Sequence, residues 1–245
     1  MLIPKKSLGQ NFLLDNNIVK KIVNSIDILN QTIIEIGPGT GKITDEIIKE
    51  IPKKLIIIEK DNKLYEFLLN KYTNINKIKI INIDAFDYDY SVHKGAKIIS
   101  NLPYNISTKL IIKLLCNYKI ISEMLFMVQK EVANKMDYNK KNKNNKLKLI
   151  IEATSNYKII HNISNKVFYP KPKVQSSIIK IIPKNNMGIN LQKLLLFSKE
   201  IFKNKRKKIK NILNLSVKDK KSEELIDKRA ENLKTSELLY LFNKF

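Results

Sequence analysis

Cysteine is nearly absent from this chain: Cys116 stands alone among 245 residues, so no internal disulfide can form. Histidine is almost as scarce, and His93 and His161 cannot assemble a zinc cluster with one cysteine by motif spacing; no metal is expected. A reducing compartment follows from the thiol count. The sequence also lacks any run of roughly 18 or more apolar residues, the length a membrane span requires. Met1-Leu2-Ile3-Pro4-Lys5 is too short for a signal or transit segment before structured sequence begins. A cytoplasmic protein without a membrane partner is expected, and nothing demands more than a monomer.

Acidic residues are the third scarcity. Against 46 Lys and Arg there are only 23 Asp and Glu, a formal net charge of +23. A field of that sign steers and holds phosphates, so a polyanionic partner is the natural inference. Ile, Asn and Lys are abundant in every segment, as an AT-rich coding bias would also make them. The clustering of charge must therefore decide.

What the chain does have is a succession of short apolar runs: 32–37, 54–59, 78–84, 96–100 and 124–129. They are rich in β-branched residues and nearly continuous, the pattern of strands buried on both faces. Residues 15–28, 41–50, 61–71 and 106–118 between them carry apolar positions at helical spacing, with Asp15, Thr40, Asp61 and Asn105 where N-caps are wanted. The alternation predicts an α/β fold with a parallel, doubly wound sheet. Asn139 to Lys146 is a lysine-rich polar run with nothing to bury and reads as a solvated loop. A further strand is expected over 176–182, and from Leu191 the pattern is wholly helical. These features divide the chain into a domain over 1–184 and a small all-α domain over 185–245.

A glycine turn, Gly37-Pro38-Gly39-Thr40-Gly41, follows the first strand and opens a helix. Glycines there bring backbone N–H groups close to a ligand at a helix N-terminus. A dinucleotide fingerprint would want its third small residue at position 42, which is Lys42, so nicotinamide binding is disfavoured. The next strand ends in Glu59, about twenty residues on, where a carboxylate can accept both hydroxyls of a ribose. The third ends in Asp84, placed to accept from an adenine amino group. The set suits a nucleoside with a small charged tail.

The fourth strand runs into Asn101-Leu102-Pro103-Tyr104. The exocyclic N6 of adenine is a poor nucleophile because its lone pair is delocalised into the ring. The amide oxygen of Asn101 and the carbonyl of Leu102 can both accept its hydrogens and aim the lone pair at a methyl donor. Pro103 fixes φ and offers no competing N–H, while Tyr104 can stack on an unpaired base. Catalysis of that kind rests on orientation and hydrogen bonding rather than on a strong base.

"SLGQNFLLD" at 7–15, "EIGPGTGKIT" at 35–44, "NLPYNIST" at 101–108, "FYPKPKVQS" at 168–176 and "RAENLKTSEL" at 229–238 lie in order along nearly the whole chain. With these five motifs the sequence resembles the ribosomal RNA adenine N6-dimethyltransferase family, and within it the bacterial small-subunit type. The resemblance implies a Rossmann-like, seven-stranded methyltransferase fold with a helical C-terminal RNA-binding domain. It also implies S-adenosyl-L-methionine as donor and dimethylation of two adjacent adenines in the 3′-terminal hairpin loop of small-subunit (16S) rRNA. The partners would be that rRNA and the immature small ribosomal subunit, and the setting ribosome biogenesis. By position, the family's cofactor contacts fall on Asn11, Leu13, Gly37, Glu59, Asp84 and Asn101. Its target-base residues fall on Asn101, Leu102, Pro103 and Tyr104, with Phe168 as a second aromatic. The role of the 7–15 segment rests on the resemblance alone. The family's Tyr-Gly pair after the fifth strand is replaced here by Asn144-Asn145.

The densest basic run, 202–211, contains Lys205, Arg206, Lys207 and Lys208, with Ile201, Phe202, Ile209, Ile212 and Leu213 as an apolar stripe. That combination reads as a helix lying on phosphate backbone. Lys171 and Lys173 fall near Phe168 and would add phosphate contacts. Two other readings compete: a large-subunit rRNA methyltransferase of the macrolide-resistance type, and a non-catalytic ribosome-assembly or transcription factor. "NLPYN" and the "RAENL" ending favour the small-subunit type over the first, and intact Asn101, Tyr104, Glu59 and glycine turn speak against the second. The remaining residues have structural readings: His93 and His161 in surface turns, Cys116 in the core, Met124 and Met127 in a buried strand.

Overall fold

The structure, a computed structural model, describes residues 4, 5, 8–140, 142–184, 188–204, 206–213 and 219–245. It divides into two compact units, Met1–Ala133 with Lys158–Pro183, and Asn134–Tyr157 with Lys184–Phe245. The division at Lys184 read from the sequence leaves residues 134–157 in the first domain. In the structure they pack with the C-terminal helices instead.

The first unit contains, in order, β1 (Phe12–Leu13), α1 (Asn16–Val23), β2 (Thr32–Ile36), α2 (Lys42–Lys49), β3 (Lys54–Glu59), α3 (Asn62–Lys71), β4 (Ile78–Asn82), β5 (Lys97–Asn101), α4 (Ser107–Leu115) and β6 (Glu123–Gln129). α5 (Lys130–Met136), α6 (Lys146–Thr154) and β7 (Ser155–Ile163) follow, then β8 (Phe168–Tyr169) and β9 (Ser176–Pro183). The main sheet has seven strands in the order β4-β3-β2-β5-β6-β9-β7. β4 through β6 are parallel, as the continuous Ile-rich runs predict. β9 lies antiparallel to β6, so the wholly parallel expectation is corrected to a mixed sheet. β9 is reached from β7 through the short β8 segment, with no crossover helix of the kind a parallel connection needs.

Local chemistry explains most helix starts. Asp15 and Asp61 cap α1 and α3, each accepting two backbone N–H bonds. Thr40 and Asn105 do not act as caps: the cap positions are Gly41 and Ile106, neither with a side-chain bond. At α2 the chain is still in the left-handed conformation at Gly41, φ +81°, and the helix cannot begin earlier. Packed on the sheet are Ile22, Ile33, Ile47, Leu55, Ile57, Leu68, Ile99, Met127 and Ile178, all at 3% exposure or less. Cys116, expected in the core, is exposed at the C-cap of α4.

The second unit is built from α6, α7 (Leu191–Ile201), α8 (Lys220–Ile226) and α9 (Thr235–Phe242). Leu149, Ile150, Leu194, Phe197, Leu238 and Leu241 are fully buried, and the Phe197 and Phe242 rings meet edge to face at 5.6 Å. The run 139–146 is only partly the solvated loop expected. Asn144 is buried, its amide donating to Leu233 O (3.2 Å) and Thr235 Oγ1 (3.1 Å). Asn145 caps α6 through the N–H groups of Leu147 and Lys148. No helix among the described residues is long and apolar enough to cross a membrane.

Candidate active site

The carboxyl ends of β2, β3, β4 and β5 open onto one cavity of about 270 Å³. Asn11, Leu13, Gly37, Glu59, Asp84, Asn101, Leu102, Pro103 and Tyr104 all line it, so nine of the candidate residues meet there. Phe168 does not. It is 3% exposed, pairs with Leu13 across β1 and β8, and packs in the core cluster.

The glycine turn is held in a shape that only glycine adopts readily. Gly39 has φ +60°, and a Cβ there would lie 3.0 Å from the Phe12 ring. At Gly41 a Cβ would fall 2.3 Å from the Tyr72 hydroxyl. That hydroxyl donates to Asp45 Oδ1 (2.8 Å) and is 3.0 Å from Gly41 O, while Lys71 Nζ reaches Thr40 O (3.2 Å) and Asp45 Oδ2 (2.7 Å). The C-terminal end of α3 thus holds the backbone of the turn from behind.

Glu59 is 6% exposed, and its Oε1 accepts the N–H of Asp61 at 2.7 Å. Burial pushes its carboxyl up to about 7, and the neighbouring charge of Asp61 adds to that, against the bonds from backbone N–H groups. Asp84 behaves oppositely. Burial pushes it up, but Lys60 Nζ at 2.6 Å and the Phe86 N–H at 2.9 Å outweigh that and hold it below the usual range. Deeper still, Glu35 is 1% exposed; Thr44 donates to one oxygen (2.6 Å) and the other, Oε1, has no hydrogen-bond partner among the described residues. Burial takes its carboxyl up to about 8.

Two bonds define the far end of the cavity. Asn101 Nδ2 donates to the backbone carbonyl of Asn11 at 2.9 Å. A carbonyl can only accept, so this bond fixes which end of the amide is nitrogen and leaves Oδ1 an acceptor with no donor among the described residues. The Tyr104 hydroxyl lies 2.7 Å from Ser176 Oγ, and Ser176 is fully buried, which fixes the ring position.

Pattern reading from the residues alone did not single out Phe12, Tyr72, Lys60 or Ser176. Each acts through a partner far away in sequence, and no local motif carries that signal. The 7–15 segment, unremarkable as a pattern, contributes by backbone: Asn11 supplies the carbonyl that orients Asn101. Of the RNA-binding candidates, Lys171, Lys173, Arg206, Lys207 and Lys208 are exposed, and Lys205 lies outside the described residues. The basic run is not the helix expected. α7 ends at Ile201, turns follow, and Ile209–Asn211 forms a short 3-10 turn. Lys208 and Lys210 both pair with Asp227, at 2.8 and 2.6 Å.

The strand order, with an antiparallel strand inserted next to the last parallel one, and the glycine turn define a Rossmann-like methyltransferase fold. The chain belongs to the ribosomal RNA adenine dimethylase family, which it matches over residues 2–245. It is 36% identical over 253 residues to the ribosomal RNA small subunit methyltransferase A of Sulfurihydrogenibium sp., covering 98% of this chain and 95% of that one. With the protein of the same name from Malacoplasma penetrans it shares 39% identity over 249 residues, 96% and 89% of the two chains. A solved dimethyladenosine transferase from Plasmodium falciparum superposes with a TM-score of 0.76 at 25% identity, over 95% of this chain and 98% of that one.

Proposed function

We propose that this enzyme transfers methyl groups from S-adenosyl-L-methionine to N6 of two adjacent adenines in the 3′-terminal hairpin loop of small-subunit rRNA. It would act as a monomer on the immature small subunit, in the cytoplasm. The observation that carries the reading is the Asn101 amide, which lines the cavity, is anchored through its nitrogen on Asn11 O, and has an oxygen that accepts no hydrogen bond among the described residues.

The residues present fit the donor. The Glu59 carboxyl, bonded by the backbone N–H groups of Asp61, Lys60 and Gly39, lines the cavity where ribose hydroxyls would lie, Asp84 faces the same cavity, and Gly37, with open space where a Cβ would stand, leaves room for the tail. Bound there, S-adenosylmethionine supplies an electrophilic methyl group on a sulfonium sulfur. Asn101 Oδ1 and the Leu102 carbonyl accept the two N6 hydrogens of the target adenine and turn its lone pair out of the ring plane. Tyr104, pinned by Ser176, offers the base a flat surface. Attack by the N6 lone pair would form the nitrogen–carbon bond as the methyl–sulfur bond breaks and a neutral thioether leaves; N6 would then be cationic, and the same two acceptors would stabilise it until a proton leaves to water. Removing the adenine from its stack is easiest in a single-stranded loop, which suits a hairpin-loop target.

Labelled methyl transfer to unmethylated small subunits, with the product mapped by mass spectrometry, tests this. Dimethyladenosine in the 3′-terminal hairpin is expected. Label on large-subunit RNA alone would move the assignment to the resistance type, and tight subunit binding with no label would favour an assembly factor.

A further inference from the structure

Tyr169 is left 56% exposed on a strand whose register is defined. In the β1–β8 ribbon it stands directly opposite Phe12, and its neighbour Phe168 stands opposite Leu13. Side chains alternate across a strand, so the ribbon has two distinct faces. Leu13 and Phe168 occupy the inner one, at 5% and 3% exposure. Phe12 occupies the other, with its ring against Gly39, and both Phe12 and Leu13 contribute to the cavity wall. Directly opposed residues in an antiparallel pair have Cβ atoms about 4.5–5.5 Å apart. Tyr169 therefore stands beside Phe12, a residue of the cavity wall, without lining the cavity itself. Lys171 and Lys173 follow, both exposed and neither held by an acidic side chain among the described residues.

A single exposed aromatic needs no explanation on its own. Here the ring stands beside Phe12 of the cavity wall, and two cations without an acidic partner among the described residues come within four residues of it, the combination that binds a single-stranded base and its phosphates. An enzyme that lifts one adenine from a stack also strips a neighbour of its stacking partner. We propose that Tyr169 is a stacking platform for the nucleotide next to the target adenine, with Lys171 and Lys173 on the flanking phosphates. The proposal rests on the RNA-methylation reading above and adds a second base site to it. Stacking uses the ring and not the hydroxyl, so phenylalanine should serve as well.

The test compares wild type, Tyr169→Ala and Tyr169→Phe with a fluorescein-labelled RNA hairpin whose loop carries the adjacent adenines. Affinity for the hairpin, KM for unmethylated small subunits and Kd for S-adenosylmethionine are measured for each. Tyr169→Ala should weaken hairpin affinity and raise KM by roughly tenfold, the scale of one lost base stack, with the donor Kd unchanged. Tyr169→Phe should stay within about twofold of wild type. Wild-type affinity in the alanine variant would overturn the platform, as would a phenylalanine variant as weak as alanine. If wild type transfers no methyl group at all, the functional reading fails, while the hairpin affinities still decide for or against Tyr169.

Discussion

Glu59 and Glu35 are buried carboxyls pushed up to about 7 and about 8 from an ordinary 4.5, and their titration acts on binding and on stability in opposite directions. If Glu59 holds the ribose as proposed, it must be ionised to accept both hydroxyls, and donor affinity should rise roughly tenfold from pH 6 to pH 8. Isothermal calorimetry checks this, and Glu59→Gln should flatten the profile. Stability runs the other way. A group whose folded pKa exceeds its unfolded value contributes fully below the unfolded value, and the contribution is lost as pH rises through the folded one. The free protein should therefore lose Tm between about pH 5 and pH 8. Glu35→Gln, which still accepts from Thr44 and carries no charge, should recover several kcal/mol of that loss at pH 8 without changing the pH dependence of donor binding. Tyr104→Phe loses only the bond to Ser176, so about 1 kcal/mol of stability should go while the stacking ring remains. Chemical denaturation and KM for RNA separate those two effects.

At the scale of elements, the glycine turn and the end of α3 act as a unit. Gly41→Ala places a Cβ against the Tyr72 hydroxyl at φ +81° and should destabilise the fold by about 1–3 kcal/mol. Tyr72→Phe removes the bond to Asp45 and leaves Gly41 O unsupported, so donor Kd should rise a few-fold with KM for RNA unchanged. This turn was legible in the sequence because glycine at a strand-to-helix junction leaves few alternatives. The parallel strands were legible for a related reason: runs such as Leu55-Ile56-Ile57-Ile58 have no polar face to give away. β7 was not. Ser155 continues from the last residue of α6 with no glycine or proline between, and its sequence mixes exposed Asn156, Lys158 and Asn162 with few buried side chains. Asn144 was hidden by composition, because a lysine-rich run gives no sign that one of its amides satisfies a buried carbonyl. Of the site itself, the side chains on strand ends could be read, whereas the Asn11 carbonyl could not, being a backbone atom brought in from ninety residues away.

For the whole molecule, the net charge of +23 sets how RNA is bound. Binding carried by phosphate contacts should weaken by at least tenfold between about 50 and 200 mM salt, while the donor Kd stays nearly constant. Arg206 and Lys207 are exposed, so their joint replacement by alanine should reduce the salt slope. Lys208, already shared with Asp227, should matter less. Charge alone could not foretell this difference, since it depends on which lysines the fold neutralises. Nor could the linear order of motifs show that residues 134–157 pack with the C-terminal helices.

The most direct measurement is single-turnover methyl transfer to unmethylated small subunits by wild type and Asn101→Ala, with donor Kd determined in parallel. If the amide oxygen of Asn101 orients N6, the rate of transfer should fall on the order of a hundredfold or more, while the donor still binds through Glu59 and the glycine turn. Transfer at the wild-type rate by the alanine variant would contradict the account.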